Sequence, residues 1–142
     1  MLYLRNNNKG VIKLGKKQKA VIITTEGTKS VVEFEIGDSY KLLSNSVGGM
    51  IECVGLGDAD LWCNENGIAE GLELNMIASA IYSETFNASN PILGNVIITG
   101  GADEEGETLG LTDEQVAHWL GYDKKVIPTA YLLGGRFGEY LR

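Results

Sequence analysis

Histidine occurs once, and cysteine and proline twice each, in a chain of 142 residues. One histidine and two cysteines are too few for a structural zinc site, which takes four such ligands. Two cysteines build no disulfide framework, and Cys53 and Cys63 read as reduced thiols near each other across a hairpin. Scarce proline beside 19 glycines excludes a proline-rich disordered chain. Glycine at roughly twice its ~7% average usage marks turns and bulges in an ordered one. Long apolar runs are lacking as well. None approaches the ~20 residues that span a bilayer, and residues 1–9 lack the apolar core of a signal peptide, so a cytoplasmic location is expected.

The most informative absence concerns charge. Residues 42–123 contain no lysine or arginine against fourteen carboxylates, a net −14. Residues 1–41 carry a net +4 and residues 124–142 a net +3, which hides the division behind an overall −7. Such a stretch is either a solvated acidic face or a surface offered to a basic partner. The length and an apolar fraction of 44% suit one hydrophobic core. With no internal repeat and no linker, residues 1–142 read as a single domain.

Along the chain, residues 11–14 and 20–25 read as strands, with Lys16, Lys17 and Lys19 around the turn between them as a protected edge. Residues 30–36 alternate, placing Val32, Phe34 and Ile36 on one face. Asp38 then caps a short helix closed by Gly48 and Gly49. Residues 50–54 and 61–64 form two more strands. Asn75 caps a helix over residues 76–82, residues 87–91 are loop, and residues 93–99 are a buried strand. The acidic run 103–107 reads as a mobile solvated loop. Thr112 and Gln115 form a capping box for a helix whose inward stripe is Val116, Trp119 and Leu120, and residues 126–133 give a last strand. Strands and short helices without regular βαβ spacing predict an α+β fold: a mainly antiparallel sheet with two or three short helices packed on it.

Five segments occur in order: Gly-Gly-Met-Ile-Glu-Cys-Val (48–54), Leu-Trp-Cys-Asn-Glu-Asn-Gly (61–67), Gly-Leu-Glu-Leu-Asn (71–75), Gly-Asn-Val-Ile-Ile-Thr-Gly (94–100) and Gly-Leu-Thr-Asp-Glu-Gln (110–115). Together they resemble an uncharacterised family of small acidic domains found in phages and bacterial mobile elements. The basic N-terminal hairpin and the tail after Gly121 fit it less well. The resemblance implies a phage accessory protein, of the kind that counters host defence, and carries over no catalytic or binding residue.

Catalysis finds little support. His118 lies beside Trp119 on the solvent side of a helix, and no serine or cysteine stands in a nucleophile elbow. Asp58 and Asp60 sit in a glycine-rich turn that explains them without a metal. There is neither a Walker loop nor a dinucleotide fingerprint. A non-enzymatic protein with no cofactor and no metal is expected.

Binding is better supported. A phosphorylated ligand wants cations, and a base wants an aromatic face. Gly134, Gly135, Arg136 and Phe137, with Tyr140 close behind, are where these coincide. Arg136 would fork onto phosphate and Phe137 stack on a base. Trp62 and Tyr82 are secondary candidates for a pocket wall, though both also suit the core. The leading expectation is a homo-oligomer that sequesters a small nucleotide-type signal without turnover. The alternative is an acidic protein-binding inhibitor or DNA mimic acting on a host defence protein through residues 42–123. Membrane and direct nucleic-acid binding are disfavoured.

Overall fold

The computed structural model describes residues 17–127, together with the backbone of residues 2–6 and 10–14. It has the expected α+β architecture. Strands β3 (Gln18–Ile23), β4 (Lys29–Phe34), β5 (Ile51–Gly55), β6 (Asp60–Asn64) and β7 (Val96–Thr99) form one sheet in the order β4-β3-β7-β6-β5, every neighbouring pair antiparallel. The last strand, β7, sits in the middle, and its Val-Ile-Ile-Thr run is buried throughout, as a doubly covered strand must be.

Helices cover both faces. On one, α1 (Ser39–Val47) carries the chain from the β4 edge toward the β5 edge, and its Leu43 and Val47 pack with Ala20, Phe34 and Ile97. On the other, α2 (Met76–Phe86) and α3 (Asp113–Gly121) bury Val21, Ile23, Leu61, Val96 and Ile98. The alternation of β7 is thus split, with Ile97 toward α1 and Val96 and Ile98 toward α2 and α3. Small Ala78, Ser79 and Ala80 let α2 come close, and Ser79 Oγ receives Ile92 N at 2.9 Å. Asn75 caps α2 and Thr112 caps α3 in a full capping box, both as expected. Among the described residues no helix is long and apolar enough to cross a membrane.

Several local expectations change. β1 (Leu2–Asn6) and β2 (Gly10–Leu14) pair with each other in a separate two-stranded ladder, rather than β2 with β3. β3 has β4 on one side and β7 on the other, so it has no free edge to offer and is no edge strand. Lys19, expected to guard that edge, bonds instead to Asp113 at 3.1 Å. Asp38 precedes α1 but makes no side-chain cap bond, whereas Gly48 closes the helix at φ 77° as expected. α2 runs on to Phe86, because Asn87 at φ 51° takes the left-handed cap. Leu120 is exposed rather than inward, because α3 lies toward the open β4 edge and the sheet ends beneath its outer side. The 103–107 run is a folded hairpin turn in which Asp103 accepts the backbone N–H of Glu105 and Glu107 at 2.8 and 2.9 Å. Of the last expected strand, Val126 is buried and bonds to Met76 O at 3.1 Å, while residues 128–133 lie outside the described residues.

Candidate functional site

The sheet has two chemically different ends. At one end β3 and β6 finish, β7 begins and α1 terminates. Here a cavity of about 450 Å³ opens between the last turn of α1 and the loops at Gly71–Glu73 and Gly94–Asn95. Three left-handed glycines, Gly48 (φ 77°), Gly71 (φ 67°) and Gly94 (φ 88°), line it. A Cβ at Gly94 would stand 2.8 Å from Leu72 Cδ1. Asn45, Ser46, Thr25 and Asn95 supply neutral polar groups, Glu73 a carboxylate, and no lysine or arginine is in the wall. Asn95 is fixed by accepting Thr25 N at 3.0 Å. Beneath the cavity, Asn64 Nδ2 donates to Val47 O and to Glu70 Oε1, both at 3.2 Å.

A smaller cavity of about 170 Å³ lies beside the β5–β6 hairpin and is bordered by Glu52, Glu65, Ile68 and Pro91. It too has a carboxylate-bearing wall without a cation.

The opposite end of the sheet gathers the β5–β6 turn, the hairpin after β7 and the start of α3, tied together by Gln115 Nε2 on Asp58 O at 3.0 Å. Asp58, Asp60, Asp103, Glu104, Glu105, Glu107, Asp113 and Glu114 all belong to these segments. Of the fourteen carboxylates between residues 42 and 123, none is buried and eleven are exposed. β3 brings Lys17 and Lys19 to this end, and Lys19 is engaged by Asp113.

Two other lysines of residues 17–127 are held by the chain itself. Lys29 Nζ donates to Leu120 O at 3.2 Å and to Tyr122 O, neutralising the carbonyl end of α3. Lys124 pairs with Glu84, and Tyr122 Oη donates to the same carboxylate at 3.0 Å. The Lys124 ammonium holds the Glu84 carboxyl below its ordinary range against the opposing pull of partial burial. These contacts staple the segment after α3 onto α2.

The sequence candidates distribute unevenly. Gly134, Gly135, Arg136, Phe137 and Tyr140 lie outside the described residues. Trp62 is half-buried against the α1-side core and donates Nε1–H to Thr99 Oγ1 at 2.9 Å. Tyr82 packs on the opposite core and on Phe86, ring centroids 4.7 Å apart. Neither lines either of these cavities. His118 is exposed with its ring on the edge of Trp119 at 4.5 Å. Asp58 lies within, and Asp60 directly after, the β-turn closed by Leu56 N on Ala59 O at 2.8 Å. Among the described residues no three His, Cys, Asp or Glu side chains group as metal ligands do.

The cavity at the end of α1 was missed, yet the sequence held a signal for it. Three of the five motif segments open on Gly48, Gly71 and Gly94, and these glycines converge there.

The two cysteines are neighbours on one hairpin but lie on opposite faces. Cys53 pairs with Trp62 and Cys63 with Glu52, so Cys53 is exposed and Cys63 buried, both as free thiols. Desolvation pushes the Cys53 thiol up to about 11, with the Asp60 carboxylate adding to it. Burial, with Glu52 adding, likewise raises Cys63 to about 11. At pH 8 the Cys53 thiolate is then about one part in a thousand, and alkylation by iodoacetamide is slow despite exposure. Asp60→Asn removes the charge and is expected to speed Cys53 alkylation by about 3–10-fold. An unchanged rate measured by mass spectrometry would remove Asp60 as a cause.

Residues 18–123 match the family model of a domain of unknown function (DUF3846), and the chain belongs to that family. The matched span leaves out β1, β2 and the tail, the parts that fit the motif series less well. No curated protein and no solved structure is significantly similar to the chain.

Proposed function

We propose that this DUF3846 member is a non-catalytic binding domain whose carboxylate-rich surface docks a cationic partner, in the manner of an acidic protein-binding inhibitor. One observation carries the reading. All fourteen carboxylates of residues 42–123 reach solvent, and among the described residues only Asp113 and Glu84 of them pair with a lysine. The field of the other twelve is therefore not cancelled by an ion pair among the described residues and can steer a basic partner. In the phage or mobile-element setting that the motif series suggests, the partner is a basic host protein of the bacterial cytoplasm.

Sequestration of a nucleotide-type ligand by a homo-oligomer is the second reading. It is supported by the coincidence of Gly134, Gly135, Arg136, Phe137 and Tyr140 in sequence. The two cavities beside α1 and beside the β5–β6 hairpin add no cation to it.

Calorimetry on the full chain separates the two. An arginine-rich peptide is expected to bind at about micromolar Kd, roughly −8 kcal/mol, weakening steeply as salt shortens the screening length. ADP-ribose and cyclic dinucleotides are expected to bind no tighter than about millimolar, roughly −4 kcal/mol. Tight nucleotide binding lost in Arg136→Ala, with no peptide binding, would reverse the order of the readings.

A further inference from the structure

We propose that the cavity at the C-terminal end of α1 is a subsite for a guanidinium group, offered by an arginine side chain of the cationic partner. The inference rests on the reading above and names its anchor. Its volume of about 450 Å³ falls within the range that holds small organic ligands. What sets the ligand class is the balance of donors and acceptors.

A helix ends on carbonyl groups and carries a partial negative charge there, which a cation near the last turn ordinarily offsets. α1 has no basic residue in its last turn. Ser44 O accepts Gly48 N and Gly49 N, and Val47 O accepts Asn64 Nδ2. Among the described residues no hydrogen bond reaches the carbonyl oxygens of Asn45 and Ser46, two residues that line the cavity. The same wall holds the Glu73 carboxylate, exposed and without a bonding partner among the described residues. On the other face of the sheet, the α3 end shows what satisfies such a terminus, since Lys29 donates to Leu120 O and Tyr122 O. The α1 end lacks that counterpart.

An anion is repelled by these groups, and an apolar side chain would leave them dry and unpaired. A cation with several donors satisfies them. A guanidinium carries five N–H groups in a planar fork and reaches a carboxylate and carbonyl oxygens together, which a compact ammonium does less well. Gly48, Gly71 and Gly94 form part of the remaining wall. A Cβ at Gly48 or Gly71 would meet nothing within 4 Å, so the missing side chains leave the approach open.

The test is a titration of the ¹⁵N-labelled full chain with N-acetyl-arginine amide, N-acetyl-lysine amide and adenosine monophosphate. The arginine probe is expected to shift the amides of Ser46, Gly48, Gly71 and Asn95 saturably, the lysine probe more weakly, and the nucleotide not at all. Glu73→Gln is expected to weaken the arginine probe by about five-fold or more, and Asn45→Trp to block it. Glu105→Gln, at the far end of the sheet, is expected to leave it unchanged. Shifts outside the cavity, or equal loss in Glu73→Gln and Glu105→Gln, would overturn the subsite. If the arginine-rich peptide binds while the probe leaves the cavity amides unmoved, the subsite fails and the acidic-surface reading stands. If the probe fills the cavity and the peptide does not bind, that outcome is reversed.

Discussion

Gly100→Ala is expected to destabilise the domain severely, while Gly101→Ala, one residue on, leaves it nearly untouched. A Cβ at Gly100 would stand 2.3 Å from Gly110 O and 3.0 Å from Gly110 C, both backbone atoms that no rotamer change can move aside. At Gly101 a Cβ meets nothing within 4 Å. The crowding falls where the chain leaves β7 and the segment before α3 returns alongside. There Gly100 N donates to Leu109 O at 2.9 Å, and Leu111 N to Lys19 O at 2.8 Å. Gly110 is equally confined, its Cβ position 2.5 Å from Lys19 N. Prying this seam apart loosens α3, and with it buried Val116 and Trp119. Overpacking of this kind costs about 3 kcal/mol, against about 0.5 kcal/mol or less for the exposed neighbour. In a domain of this size that separates the two melting temperatures by about 10 °C. Melts that coincide would mean the seam is softer than its geometry says.

Asn75→Ala is expected to cost as much by another route. Asn75 is fully buried, and its side chain makes three bonds. Nδ2 donates to Ile23 O at 3.1 Å and to Gly94 O at 3.0 Å, while Oδ1 accepts Ala78 N at 2.9 Å. One side chain therefore caps α2, closes the end of β3 and fixes the left-handed Gly94 of the cavity wall. Alanine leaves two buried carbonyls and one amide without partners, for a loss of about 3–4 kcal/mol. Asn75→Asp keeps the cap acceptor but cannot donate to the carbonyls, so it is expected to be no more stable than alanine. Chemical denaturation measures both. A midpoint near that of the parent in either variant would show that water replaces the amide.

The periodic parts of the fold were readable because they rest on local rules. The alternation at Val32 and Phe34, the caps Asn75 and Thr112 and the left-handed Gly48 each need only neighbouring residues. Expectations failed where a distant partner decides. Sequence brings β2 next to β3, yet β3 takes its neighbours from β4 and from β7, whose Val96 pairs with Ile23. Leu120 has an inward helical position, but how far the sheet extends under α3 leaves it exposed. Asp103 reads as one more acid in a solvated run, although its carboxylate orders the hairpin. The cavity at the end of α1 depends on three loops separated by more than twenty residues each, so its glycines were visible as motif starts and their convergence was not.

The account turns on whether the carboxylate-rich middle of the chain or its basic tail meets the partner. Amide mapping of the ¹⁵N-labelled full chain with the arginine-rich peptide, at low salt and again at about 0.5 M salt, addresses this directly. The account predicts shifts concentrated at the acidic end, in Asp58, Glu104, Glu105 and Glu114, and at the cavity amides Ser46 and Asn95, the former fading with salt. No shift with the peptide, together with shifts confined to Gly134–Tyr140 on adding a nucleotide, would contradict it.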